Sequence, residues 1–202
     1  MARPYQQTRR AQQREETRRR IVEAALELHE AVGPAQTTVS AIAERAGVQR
    51  LTVYTHFPED RDLLFACTAH YQAANPPPDT KPWSRISDPV ERLRVALTDI
   101  YAWCRDNEPM VANSVRDLPR EPILAEVLAP MFEHWSLMQS VLAVGWGARG
   151  MKRRRLLAAL GHAIDFGTWH SLARRQGLDD SEAVEVMVGA VRAVVVDHGS
   201  SR

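Results

Sequence analysis

No stretch of this 202-residue chain stays apolar for the roughly 18 positions that a helix crossing a bilayer needs, so no membrane span is expected. The Arg9-Arg10 pair is not followed by the apolar segment of an export signal, and a cytoplasmic location is expected. Cysteine is almost missing. Cys67 and Cys104 stand at no metal or redox spacing, which leaves buried, reduced thiols as the expectation. There is no glycine-rich phosphate loop, nucleophile motif or paired-carboxylate signature. No catalytic residue, cofactor or metal ligand is therefore expected. Strand-type alternation, internal repeats and long low-complexity tracts are absent too, and an all-α protein is the consequence. The length fits one domain, or a small domain docked on a larger one.

Net charge is close to balance, at +1, but its distribution is uneven. Residues 1–20 hold Arg3, Arg9, Arg10, Arg14, Arg18, Arg19 and Arg20 against Glu15 and Glu16. A local cluster of this kind can neutralise phosphates and release counterions although the whole molecule is nearly neutral. Residues 1–13 are read as a basic flexible tail that adds affinity with little sequence preference.

The stretch from Thr38 to Phe57 reads as two short helices joined by a tight turn. Thr38 can cap the first, because its hydroxyl can accept a backbone N–H left free at a helix start. Ile42 and Ala46 share a face, Ala43 lets a second helix cross closely, and Gly47 sits where the chain must turn. Val48, Val53 and Phe57 resume the apolar pattern and close over the first helix. Gln49, Arg50, Leu51, Thr52, Tyr54, Thr55 and His56 are left facing outward on a segment without acidic residues. An ordinary helical hairpin matches any one of these points; their combination points to a DNA-binding helix-turn-helix.

Along the rest of the chain, apolar spacing predicts a helix over 15–32, ended by Gly33-Pro34, and a connecting helix over 60–74. Asn75-Pro76-Pro77-Pro78 cannot continue it, since proline lacks the N–H and clashes with the preceding turn. Domains are accordingly expected at 14–58 for the DNA-binding unit, 59–74 for the connecting helix and 75–202 for the remainder. In that remainder, helices are expected over 89–106, 110–117, 122–144 with Pro130 as a point of interruption, 152–176 and 181–196, for about nine in all. Gly161 and Gly167 interrupt the 152–176 pattern, which implies close packing or a bend.

Thr37-Thr38-Val39, Ile42-Ala43, Ala46-Gly47-Val48, Thr52-Val53-Tyr54, His56-Phe57 and Leu63-Leu64, preceded by a long amphipathic helix, resemble the TetR family of bacterial transcriptional regulators. The resemblance covers about a third of the chain. It implies an N-terminal three-helix DNA-binding unit and a larger C-terminal helical domain for ligand binding and dimerisation. It also implies a homodimer, paired through the last two helices as a four-helix bundle, that places two recognition helices on a palindromic operator in double-stranded DNA.

On DNA, Tyr54 and His56 match family positions that contact phosphate, and their O–H and N–H groups are suitable donors. Thr38 resembles a residue that touches the DNA backbone while capping its helix. Thr52 is suited to a phosphate or a base edge, and Thr55 to an additional contact of either kind. Arg50 is the candidate for direct reading, because its fork can pair with guanine O6 and N7. Gln49 and Leu51 depart from the small residues common in the family, and Leu51 would meet a thymine methyl. Asp60 stands where a lysine commonly supports phosphate binding; Arg61 beside it is the candidate replacement.

Family members commonly bind a small molecule between central helices. Tyr101, Trp103, Trp135, Met138, Phe166 and Trp169 supply apolar candidates for such a pocket, with His134 and His162 as polar ones. Aromatics at helical spacing serve equally as ordinary core. His162 and Asp165 can meet on one helical face, where a core or interface hydrogen bond competes with an acid–base reading. Three functions stay open: a repressor released from its operator by a small, largely apolar ligand; a regulator without a small-molecule inducer, controlled by a protein partner; and an α-helical small-molecule-binding protein or enzyme with a non-functional DNA-binding domain.

Overall fold

The computed structural model describes residues 3–195, with side chains from Thr8 onward. These residues form twelve α-helices and no strand: α1 (Arg3–Ala31), α2 (Val39–Ala46), α3 (Arg50–His56), α4 (Asp60–Ala74), α5 (Thr80–Ser84), α6 (Pro89–Asp106), α7 (Glu108–Asp117), α8 (Pro122–Val127), α9 (Ala129–Leu142), α10 (Gly150–Ala163), α11 (Phe166–His170) and α12 (Asp180–Val195). The three helices beyond the expected nine have local causes. Asp79 caps the short α5, accepting from Lys81 N. Pro130 falls in the first turn of a new helix and separates α8 from α9. Asp165 accepts from the amide of Gly167 at 2.8 Å and starts α11, splitting the expected 152–176 helix.

α1 begins at Arg3 rather than near Glu15, so the described part of the expected flexible tail is helical. Between Pro4, in the first turn, and Gly33 no residue is a strong helix breaker. The side chain of Arg3 and the expected helix end at Val196 lie outside the described residues.

The chain divides into two compact units, and a single cut at 74/75 does not describe them. One holds the residues up to Pro76 together with Glu108–Ala129, the other Pro77–Asn107 with the residues from Pro130. In the first unit Ile21, Val22 and Ala25 of α1 pack with Ile42 and Ala46 of α2, Val53 of α3, Phe57, and Leu63 and Cys67 of α4. α7 belongs here because it supplies what the end of α1 lacks. Asn113 donates to the carbonyls of His29 (3.0 Å) and Glu30 (2.7 Å), and Arg116 donates to that of Val32 (2.7 Å). The last carbonyls of a helix have no partner within it, and these side chains provide one. Asp117, buried, accepts from Ala35 N at 3.0 Å. The chain turns at Gly33 with φ +94, and a Cβ there would collide with the Arg116 guanidinium and the Asp117 carboxylate, so both conformation and space require glycine.

The second unit is built on α6, whose Leu93, Leu97, Ile100, Tyr101 and Cys104 are fully enclosed with Ala183, Val184 and Val188 of α12 and Leu156 and Leu160 of α10. Asp88 caps α6 by accepting from Val90 N, and Pro89 occupies its first turn. Arg92 is buried at 4% exposure and donates to four backbone oxygens among the described residues: Ile86 (2.6 Å), Ser87 (3.3 Å), Val141 (3.3 Å) and Val144 (2.7 Å). It ties the loop before α6 to the C-terminal end of α9, where the helix dipole favours a cation. Cys67 and Cys104 are free and buried, and burial pushes both thiols up to about 12, the wrong direction for a nucleophile.

Candidate nucleic-acid interface

Thr38 has extended backbone and its hydroxyl oxygen accepts from Ala41 N at 3.2 Å, satisfying one orphan donor at the start of α2. α2 ends at Gly47 in the left-handed region (φ 64, ψ 41), and Val48 N reaches back to Ala43 O at 2.9 Å. A side chain in that conformation costs roughly 1–2 kcal/mol, so Gly47→Ala is expected to lower thermal stability by about that amount. Calorimetric melting of the two proteins checks it, an unchanged midpoint being the contrary result.

α3 turns Val53 inward, with Phe57 buried behind it. Outward stand Gln49, Arg50, Leu51, Tyr54 and Thr55, all exposed, while Thr52 and His56 are half-buried. Leu51 is 74% exposed, a large apolar side chain left in water without an internal purpose. The Thr55 hydroxyl donates to Leu51 O at 2.8 Å, so its proton is engaged within the helix and its lone pairs face out. Burial, then the positive charges of Arg14 and Arg18, hold the His56 imidazole below its ordinary value against the opposing pull of Glu15. Neutral His56 keeps one ring N–H to donate.

Arg61 is committed elsewhere: its guanidinium bonds the Glu126 carboxylate of α8 and lies 5.7 Å from the Phe65 ring. The phosphate contact expected of it competes with that ion pair. The acidic departure at Asp60 has a local reason. Glu59 and Asp62 form a reciprocal capping box at the start of α4, with Asp60 in the same first turn, where negative charge is favourable.

The basic cluster is also partly used within the fold. Arg19 bridges Glu16 and Glu23 at 2.6 Å each. Arg18 donates to His56 O at 3.0 Å and lies 4.1 Å from the centre of the Phe57 ring. Arg20 donates to the carbonyl of Ala46, at the end of α2. Sequence reasoning counted these arginines only as phosphate partners. The signal it passed over is register: Arg18 lies one turn before Ile21 and Val22, so it continues the buried stripe of α1.

Residues 21–67 match the family model described as bacterial regulatory proteins, tetR family. In this N-terminal segment the chain is similar to the TetR family. This chain is 45% identical over 62 residues to the HTH-type transcriptional regulator SrpR of Pseudomonas putida, an overlap of 31% of this chain and 29% of SrpR. It is 44% identical over 62 residues to the HTH-type transcriptional regulator TtgW, also of Pseudomonas putida, covering 31% of this chain and 46% of TtgW. The match thus spans less than half the length of either relative. Similarity of fold extends further. AibR, solved in complex with isovaleryl coenzyme A and operator DNA, superposes with TM-score 0.61 at 20% identity over 86% of this chain and 97% of its own. A TetR-like transcriptional regulator from Rhodococcus sp. RHA1 gives 0.60 at 16% identity over 89% and 93%.

The candidate ligand residues all lie in the second unit, in several separate settings. Tyr101, Met138 and Trp169 are fully enclosed, with no water-sized space against them. Tyr101 Oη donates to Ala163 O at 2.9 Å and Trp169 Nε1 to the Asp180 carboxylate at 3.0 Å, so their polar groups are satisfied inside the core. Trp103 and Trp135 meet edge to face, 6.0 Å apart, and Phe166 lies 5.6 Å from Trp169; these three rings keep part of their surface exposed. His134 Nε2 lies 3.0 Å from Pro78 O, as donor to it. His162 is exposed and pairs with the Thr168 hydroxyl at 3.3 Å, while Asp165 caps α11, so the expected meeting of His162 with Asp165 gives way to a helix break. Trp83, which sequence reasoning missed, is fully buried with Nε1 donating to Asp99 at 2.8 Å.

Proposed function

We propose that this protein is a DNA-binding transcriptional regulator that works as a homodimer on a two-fold symmetric operator and acts as a repressor released by a small molecule. The observation that carries the reading is the outer face of α3, where Gln49, Arg50, Leu51, Tyr54 and Thr55 stand exposed beyond the left-handed turn at Gly47. An arginine, a phenol, hydroxyls and one apolar tip are the groups that read base edges and hold phosphates. Arg50 is assigned to base reading, and Tyr54, His56 and Thr38 to phosphate; Thr52 and Thr55 serve either, with Gln49 and Leu51 at the groove. Binding of a small molecule as well as DNA has a precedent in this fold in AibR, solved in complex with isovaleryl coenzyme A and operator DNA. The enclosed Met138 and the enclosed, internally bonded Tyr101 and Trp169 favour a second reading, a regulator without a small-molecule inducer.

Selection of genomic fragments by the purified protein at near-physiological salt tests the first reading: a few sites sharing a symmetric motif are expected, and salt-sensitive retention without a motif contradicts it. On a selected site, Arg50→Ala is expected to lose about 10- to 100-fold in discrimination between that site and its single-base variants. Tyr54→Phe should weaken all sites alike. Identical profiles for the two variants would refute this division of roles.

A further inference from the structure

α3 is only seven residues long, and Gln49, the residue before it, provides no side-chain cap. A helix this short is marginal by itself, and its last carbonyls have no partner within it. Two arginines of α1 come to the two helices of the motif at their C-terminal ends. Arg20 donates to the carbonyl of Ala46 at the end of α2. Arg18 Nη1 donates to the carbonyl of His56, the last residue of α3, at 3.0 Å, and its guanidinium carbon lies 4.1 Å from the centre of the buried Phe57 ring. Both arginines project from the turn of α1 just before Ile21, Val22 and Ala25, which pack in the same core as Val53 and Phe57. A guanidinium at a helix C-terminus gains from the dipole and makes a charge-assisted hydrogen bond, and its flat face suits an aromatic ring. A phosphate would have to compete for a group already held on two sides.

We propose that Arg18, with Arg20 as its companion on α2, is a positioning residue for the DNA-reading helix: from α1 it fixes the C-terminal end of α3, and its charge serves α3 rather than a DNA phosphate. The consequence for DNA rests on the DNA-binding reading above; the consequence for α3 does not. Amide hydrogen exchange of residues 53–57 in the free protein is the first arm, comparing wild type with Arg18→Ala, Arg18→Lys and, as an exposed-charge control, Arg10→Ala. Loss of a charge-assisted hydrogen bond is expected to speed exchange there about 10- to 100-fold in Arg18→Ala. Arg18→Lys keeps the charge without the planar fork and restores protection only in part, and Arg10→Ala changes nothing at α3. Unchanged exchange in both Arg18 variants overturns the proposal even if DNA binding is intact.

The second arm titrates a selected site and unrelated DNA across a salt series. A positioning residue lowers the ratio of specific to nonspecific affinity by about tenfold and leaves the salt slope as it is. A phosphate contact instead lowers the slope by about 0.9, weakens both DNAs equally and is rescued by lysine, a result that overturns the proposal. Wild type without a preferred site would remove the DNA-binding reading, and the exchange arm still decides what Arg18 does.

Discussion

Arg92→Met is expected to cost about 3–5 kcal/mol of folding stability, although it keeps the apolar stem and removes a charge from the interior. Arg92 is 4% exposed, and its hydrogen-bond partners among the described residues are the carbonyls of Ile86, Ser87, Val141 and Val144. A hydrogen bond from a charged donor is worth roughly 1.5–3 kcal/mol, and the contacts at 2.6 Å to Ile86 and 2.7 Å to Val144 are the strongest of the set. The loss is large beside a total stability of about 5–15 kcal/mol. Arg92→Lys restores less than half, because a single ammonium cannot span the loop before α6 and the end of α9 together. Urea unfolding of wild type and both variants gives the comparison. A methionine variant as stable as wild type would mean that those carbonyls find water instead.

Acidification is expected to cost this protein about 3 kcal/mol through one histidine. His29, in α1, is 5% exposed, and burial pulls its pKa down from 6.5 to about 4 against the opposing charge of Asp117. Above pH 6.5 both folded and unfolded chains hold it neutral, and it contributes no pH dependence. Between 6.5 and about 4 the unfolded chain takes up a proton that the folded chain refuses, so stability falls as pH falls and the loss is complete near the lower value. Asp117 acts in a separate window. Its bond to Arg116 holds its carboxyl below the ordinary 3.8, so the stability it contributes is lost only as pH falls below that value. His29→Gln should therefore flatten the loss between pH 6.5 and 4 while leaving the steeper acid limb in place. Chemical unfolding at pH 7, 5.5 and 4.5 measures the difference, and parallel curves for the two proteins would rule the histidine out as the cause.

The parts of this molecule that local chemistry governs were legible from residue order. Thr38 as a cap and Gly47 as a left-handed turn set α2 within one turn of chain, and Pro89 placed the start of α6 with a matching apolar stripe to Asp106. The outward set on α3 followed from the 3.6-residue period, since Val53 and Phe57 could face only the core. Charged side chains were legible as positions and not as roles. Arg18 and Arg61 were expected at DNA phosphates and the pattern singled out nothing at Arg92, yet the first holds the end of α3, the second pairs with Glu126, and the third is buried among carbonyls. Their partners lie 38, 65 and up to 52 residues away in sequence, beyond the reach of any periodicity. The same holds for α7, whose Asn113 and Arg116 meet the end of α1 more than 80 residues earlier and draw it into the first unit. The sequence by itself determined the helix-turn-helix pair with its Thr38 cap and Gly47 turn, the apolar stripe of α6 and the outward face of α3, because those depend on neighbours within a turn. Tertiary structure alone decided which polar group satisfies which, because a free donor or acceptor is matched by whatever the fold brings within about 3 Å, and that is a property of packing rather than of order along the chain.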